Sequence, residues 1–192
     1  MSPHYFIAIQ LPKTLQTYFS AWQEELKQEF SYKQWPNKKD LHITLKFLGA
    51  VDDNKLTLLQ NKLQDMERFD QFCLETGAFG IFGNPKKPRI LWAGVDKTKA
   101  LSELREAVER ICSEVGFIEE KRDYSPHITL AKKWNDTEIK NINQLLGSKK
   151  AAKQILQVEN IVLFRIHPKE NPKYETVAKI ELQGGGDTGS TH

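Results

Sequence analysis

The sequence predicts an α+β protein built as two similar lobes about a central cleft, each lobe an antiparallel or mixed sheet with outer helices. Three observations carry this. Apolar patterning gives the order strand, helix, strand, helix, strand twice over. The tetrapeptide His-Ile-Thr-Leu occurs twice, and a shift of 85 residues lays His42 on His127. No glycine-rich phosphate loop follows the first apolar run, and the strand-like segments 72–82 and 90–95 are separated by a short turn. A short turn can join antiparallel neighbours, whereas parallel strands need a long crossover.

The elements follow in order. Residues 4–10 are apolar, short and β-prone, and Pro12 ends them as a strand. Leu15, Tyr18, Phe19, Trp22, Leu26 and Phe30 recur at helical spacing and predict an amphipathic helix over 15–30. Trp35-Pro36-Asn37 reads as a loop, 41–48 as a strand, and Asp52 or Asp53 as the cap of a helix running to about Arg68. A strand over 72–82 leads to Asn84-Pro85-Lys86-Lys87-Pro88, the strongest breaker in the chain. Beyond it a strand covers 90–95. A helix covers 98–115, with Leu101, Leu104, Val108, Ile111 and Val115 on one face. Strands follow at 127–132, 155–166 and 174–182, with a helix from Asp136 to near Gly147 between the first two. The expected organisation is a single two-lobed domain over 1–183. Its repeat halves are 4–83 and 89–166, its closing strand is 174–182, and 184–192 form a flexible glycine-rich tail.

Composition narrows the class. A chain of 192 residues with 39% hydrophobic and 28% charged residues can bury a core without disulfides or a structural metal. Its mean hydropathy of -0.55 and lack of a 20-residue apolar run argue against a membrane protein. The start, Met-Ser-Pro-His-Tyr-Phe, carries no basic segment or cleavage pattern, so a cytoplasmic location is expected. Cys73 and Cys112 form neither a disulfide framework nor a C-x-x-C pair. A net charge of +3 permits a polyanionic substrate without indicating a bulk nucleic-acid binder. No unpaired apolar helix stripe stands out, so a monomer is expected.

The chemistry lies in His42-Ile43-Thr44-Leu45 and His127-Ile128-Thr129-Leu130. Alternate side chains of a strand share a face, so each motif presents an imidazole beside a hydroxyl while Ile and Leu anchor the strand. Facing lobes would bring two imidazoles and two hydroxyls across one cleft. Cleavage of a phosphoester needs a base for the nucleophile and an acid for the leaving oxygen, which two histidines supply. The hydroxyls would hold non-bridging oxygens. Two histidines could also ligate zinc, but no third ligand sits at metal-binding spacing, and neither metal nor cofactor is expected. One H-x-[ST] match arises by chance about half a time in such a chain, so the weight rests on the second copy in the same apolar frame.

At these residues the chain resembles the 2H phosphoesterase superfamily. Within it, the match is to the bacterial and archaeal RNA 2′,3′-cyclic phosphodiesterase family, also called the 2′-5′ RNA ligase family. The resemblance runs over about residues 5–182. It includes Phe6-Ile7-Ala8-Ile9-Gln10-Leu11-Pro12, the first motif through Gly49, Arg89-Ile90-Leu91-Trp92-Ala93-Gly94-Val95, and Tyr124-Ser125-Pro126 with the second motif through Lys132. Leu163-Phe164 and 174–182 complete it. The resemblance implies a two-lobed α+β fold and hydrolysis of RNA 2′,3′-cyclic phosphate ends to 2′-phosphomonoesters. It makes His42 the proton donor to the leaving 3′ oxygen and His127 the acceptor from water, with Thr44 and Thr129 holding the phosphate. Weak 2′-5′ ligation would be the reverse reaction. Two positions depart from the family: Lys132 stands where Arg is common, and Ser125 where a basic residue often precedes the proline. Lysine keeps the charge and loses bidentate geometry.

Further candidates are weaker. Arg122 could meet RNA phosphate and Tyr124 could stack on a base, against plain readings as a surface charge and a packed ring. Lys46 is expected on the His42 face, or else simply solvated. Trp35 and Trp134 read as packing residues, and His4 and His167 as structural. The rival functions are a phosphodiesterase for small cyclic nucleotides and a non-catalytic module that binds nucleotides or RNA ends.

Overall fold

The first strand shows why the chain folds as it does. In β1, His4–Gln10, five consecutive residues from Tyr5 to Ile9 are buried, so both faces of this strand are covered. The computed structural model describes residues 2–135 and 137–184, and β1 lies inside its sheet, between β3 (His42–Ala50) and β8 (Asn160–Ile166). The remaining strands are β2 (Tyr32–Gln34), β4 (Phe72–Asn84), β5 (Lys87–Val95), β6 (His127–Trp134), β7 (Gln154–Val158) and β9 (Tyr174–Glu181). All nine form one sheet in the order β7-β4-β5-β6-β3-β1-β8-β9, with β2 added to β6. Every pairing between these strands is antiparallel.

The order is symmetric about the β6–β3 junction. Offset by 85 residues, β1 corresponds to β5, β3 to β6 and β4 to β8. Yet β4 pairs with β5 and β8 pairs with β1. Each half of the sequence therefore hands its last strand to the first strand of the other half. The wings of the sheet and the halves of the sequence are different divisions of the chain. The breaker at 84–88 joins them as a tight hairpin, Asn84 pairing with Lys87 and the Asn84 side chain accepting from the Lys86 amide at 2.9 Å.

Four helices are described: α1 (Lys13–Leu26), α2 (Asp53–Leu63), α3 (Lys99–Glu114) and α4 (Ile142–Ser148). Their buried residues, Leu15, Phe19, Leu59, Leu101, Val108 and Ile142 among them, join Ile7, Ile9, Ile43, Leu91 and Ile128 in one core. A separate small cluster of Phe6, Ala8, Val162 and Phe164 occupies the opposite face of β1 and β8. The helices thus cover one face of the sheet and leave the other for the cleft. Side-chain caps fix the starts of α2 and α3: Asp52 accepts from the Lys55 amide at 2.9 Å, and Thr98 from the Leu101 amide at 3.1 Å. No helix among the described residues is long and apolar enough to cross a membrane.

Four boundaries differ from the sequence reading. The first helix stops at Leu26, because residues 27–30 turn back toward β2. The short β2 lies between the predicted helix over 15–30 and the predicted loop at 35–37, in a stretch the sequence reading leaves without an element. The run 155–166 is two strands broken at Glu159, because β7 must reach β4 while β8 must reach β1. The helix placed from Asp136 is α4, beginning at Ile142; Asp136 itself lies outside the described residues, as do 185–192 of the tail.

One glycine is demanded by packing. A Cβ on Gly80 would lie 2.2 Å from the Trp92 ring, which crosses the β4 backbone there. We expect Gly80→Ala to destabilise the protein by about 1–3 kcal/mol, the usual cost of overpacking. Urea titration measures this, and a shifted tryptophan emission would report the displaced ring.

Candidate active site

Strands β3 and β6 meet at a single residue pair, Ile43 with Ile128. Antiparallel register then sets His42 opposite Thr129 and Thr44 opposite His127. Ile43 and Ile128 are fully buried beneath them, so the anchoring half of each motif holds the reactive half in place. Because the ladder does not extend past this pair, the two wings diverge and leave a cleft.

Both imidazoles are oriented alike. Nδ1 of His42 lies 2.7 Å from the Asp40 carbonyl oxygen, and Nδ1 of His127 lies 2.8 Å from that of Ser125. A carbonyl only accepts, so Nδ1 carries the proton in each ring and Nε2 is the exchanging position. Nε2 of His42 is 2.9 Å from Oγ1 of Thr44. Around His42 sit Phe6, Tyr174 and Phe164, with ring centroids at 4.8, 5.4 and 6.4 Å. Burial in this aromatic setting pushes the imidazole down to about 4; the Asp40 bond opposes the shift, and the charges of His127 and Lys132 add to it. Phe82 meets the His127 ring edge-on at 4.9 Å.

A bulge falls at the last residue of each histidine motif. Ala8 pairs with Thr44 and Ile7 with Lys46, skipping Leu45; Trp92 pairs with Thr129 and Leu91 with Ala131, skipping Leu130. One extra residue shifts the alternation by one. Lys46 therefore leaves the His42 face, contrary to expectation. It is buried, donating to Glu109 at 2.9 Å and to the Ile118 carbonyl at 2.6 Å. Phe47 takes the cleft position instead and is 59% exposed. On β6 the same shift puts Lys132 on the His127 face. Burial lowers its pKa, with Lys173 and Lys133 acting the same way and Asp40 opposing.

The cleft continues on one side as a cavity of about 640 Å³ whose lining includes Thr44, His127, Phe47, Phe82, Arg122 and Tyr124. The other two sequence candidates are thus beside the motifs, but each is engaged. Arg122 Nε and the terminal Nη2 donate to the two carboxylate oxygens of Glu120, at 3.0 and 2.7 Å, which raises the pKa of the one and lowers that of the other. Tyr124 donates its hydroxyl to the Thr44 carbonyl at 2.9 Å, and the Arg105 guanidinium lies 5.2 Å from its ring centre. Trp35 and Trp134 pack on Tyr32. His167 pairs with Glu175 at 2.6 Å, and His4 lies near Phe47. Sequence reasoning missed Phe47, Phe82 and Tyr174 as cleft residues. Among the described residues no group of three or more His, Cys, Asp or Glu is gathered to hold a metal ion.

Two H-x-T strands side by side at the centre of an antiparallel sheet define a two-histidine phosphoesterase of the 2H class. The model of the 2′-5′ RNA ligase superfamily matches residues 11–170, and the chain belongs to that family. A Bacillus subtilis protein named RNA 2′,3′-cyclic phosphodiesterase is 34% identical over 183 residues, 94% of this chain and 97% of its own length. A Geobacillus stearothermophilus protein of the same name is 36% identical over 185 residues, 96% of this chain but 59% of its own length. The fold is that of E. coli LigT solved with 3′-AMP, with a TM-score of 0.76 at 19% identity, covering 95% of this chain and 99% of that one. The Thermus thermophilus protein TT0787 matches equally well, TM-score 0.76 at 22% identity over 94% and 98% of the chains.

Proposed function

We propose that the protein hydrolyses RNA 2′,3′-cyclic phosphate ends to 2′-phosphomonoesters, using His42 as acid and His127 as base. The observation that carries this is the Ile43–Ile128 pairing, which sets each imidazole opposite the hydroxyl of the other motif. The names of the B. subtilis and G. stearothermophilus relatives supply the substrate class. His127 Nε2 takes a proton from water as the water oxygen bonds to phosphorus. The P–O3′ bond breaks, and His42 Nε2–H protonates the departing oxygen, leaving the phosphate on O2′. Thr44 and Thr129 donate to the non-bridging oxygens. Ligation would use the same groups with a different nucleophile: a 5′-hydroxyl in place of water gives its proton to His127 and bonds to phosphorus, the P–O3′ bond breaks with His42 protonating O3′, and a 2′-5′ phosphodiester is left.

The terminal nucleoside occupies the cavity beside His127, its base against Phe47. Base stacking on an aromatic ring is worth about 1–3 kcal/mol, so Phe47→Ala should raise KM by roughly 5- to 150-fold with kcat little changed. Steady-state kinetics on a single cyclic substrate checks this.

The activity test is an RNA ending in 2′,3′-cyclic phosphate, incubated with the protein in EDTA, with the product terminus identified. A 2′-phosphate is the expected product. A 3′-phosphate would reverse the leaving group and overturn the assignment of His42. Turnover of small cyclic nucleotides alone would move the substrate class, and tight binding without turnover would make the site a binding module.

A further inference from the structure

The cleft has a second continuation, on the His42 side. It is a cavity of about 270 Å³ lined in part by Lys33, Lys132, Lys173, Asp40 and Tyr174. Two of its lining residues adjoin the reaction centre. Tyr174 packs edge-on against His42, and Lys132 shares a strand face with His127 and Thr129. Its wall is closed where Asn37 Nδ2 donates to Asn171 Oδ1 at 2.9 Å.

Charge here is unbalanced. Among the described residues Lys33, Lys132 and Lys173 have no carboxylate within salt-bridge distance. The nearby Asp40 is buried, and its two oxygens accept from the backbone amides of Lys173 and Tyr174, at 2.8 and 3.2 Å. Asp40 is thus committed to holding the β8–β9 loop against β3. Three ammonium groups against one carboxylate, in a recess, make a site for an anion.

The two continuations of the cleft differ in charge balance: beside His127 the cations Lys46, Arg105 and Arg122 are each paired with a carboxylate, whereas the lysines of the recess are not. An RNA end carrying a cyclic phosphate has more chain on one side only, and the next group along that chain is a phosphodiester. We infer that the Lys33–Lys132–Lys173 recess binds the phosphodiester immediately upstream of the terminal nucleotide, so that the enzyme selects oligonucleotide ends over cyclic mononucleotides. The inference rests on the hydrolysis proposed above. Lys132 bridges from the reacting phosphate to this subsite, while Lys33 and Lys173 meet only the upstream phosphate.

The test compares three substrates with 2′,3′-cyclic phosphate ends: a dinucleotide, the same dinucleotide with an uncharged methylphosphonate linkage, and a mononucleoside. The charged dinucleotide should have a kcat/KM about tenfold or more above the other two, which one or two charge-assisted hydrogen bonds supply. The advantage should shrink as salt rises. Lys33→Gln/Lys173→Gln should reduce the ratio of charged to uncharged dinucleotide to near one, and exposed Lys33→Gln alone should reduce it in part. Equal rates on the charged and uncharged dinucleotides in the unmodified protein would overturn the subsite, as would a ratio unchanged in the double variant. If the unmodified protein turned over none of the three, the hydrolysis reading would fall and the subsite with it. Turnover of all three at one rate would remove the subsite alone.

Discussion

His42→Ala should lower kcat by about 10²- to 10⁴-fold, the usual contribution of one positioned general acid. KM should change much less, because Thr129 and the cleft walls remain. The fold should survive, since His42 lies at the start of β3 while Ile43 and Leu45 carry the burial. His127→Ala should cost a similar factor. The double variant should cost far less than the product of the two, because acid and base act in one transition state. Single-turnover kinetics on an RNA cyclic phosphate measures all three. Full multiplicativity would mean that the two histidines stabilise the transition state independently of each other.

The pH profile carries the same assignment further. An acid must start protonated, yet burial pushes free His42 down to about 4 from the ordinary 6.5. At pH 7 the free enzyme holds it neutral. A bound phosphate is an anion beside Nε2 and favours the charged imidazole, so the pKa rises in the complex. Profiles of kcat/KM report the free enzyme and profiles of kcat report the complex. The alkaline decline of kcat/KM assigned to His42 should therefore begin at lower pH than the decline of kcat. Superimposed profiles would show that substrate does not recharge His42, and would argue against it as the acid.

How much of this could be read from the letters differs from one element to the next. Ile43 and Leu45 flank Thr44 in a pattern that local alternation explains, and their partners at 128 and 130 repeat it. That is why the two motifs and their shared strand face were legible. The bulges at Leu45 and Leu130 were not. A bulge adds one residue without a residue type of its own, and everything beyond it changes face. Lys46 therefore reads as a cleft residue and is a core one, while Phe47 is the reverse. The exchange of β4 and β8 between halves was also hidden, because pairing between distant strands depends on the whole sheet. Residues 155–166 look like one apolar strand for the same reason: nothing local says that β7 and β8 go to opposite wings of the sheet. Arg122 was visible as a cation near the second motif, but its partner Glu120 determines that its charge is already matched.

The misread Lys46 leads to the largest stability effect expected. Its ammonium and the Glu109 carboxylate have side chains only 5% and 8% exposed, and they meet at 2.9 Å. Glu109 also lies 3.3 Å from the Arg105 guanidinium and accepts the Glu120 amide at 3.4 Å. Removing the carboxylate leaves two cations facing each other in a poorly solvated place. Glu109→Ala should therefore cost about 3–5 kcal/mol, or roughly 6–20 °C in Tm for a chain of this size. The effect should reach the chemistry. Lys46 holds the Ile118 carbonyl, Glu109 holds Glu120, and the segment they tether runs through Tyr124 to Ser125, whose carbonyl orients His127. At a temperature where the variant is still folded, kcat should fall with KM little changed, because a tilted imidazole is a poorer base but not a missing contact. Lys46→Met/Glu109→Leu should recover much of the stability, since an apolar pair replaces a buried ionic one at little cost. It should not recover kcat, because neither new side chain can hold the 118–120 backbone. A variant that regained both would show that the ion pair acts only through global stability and does not position His127.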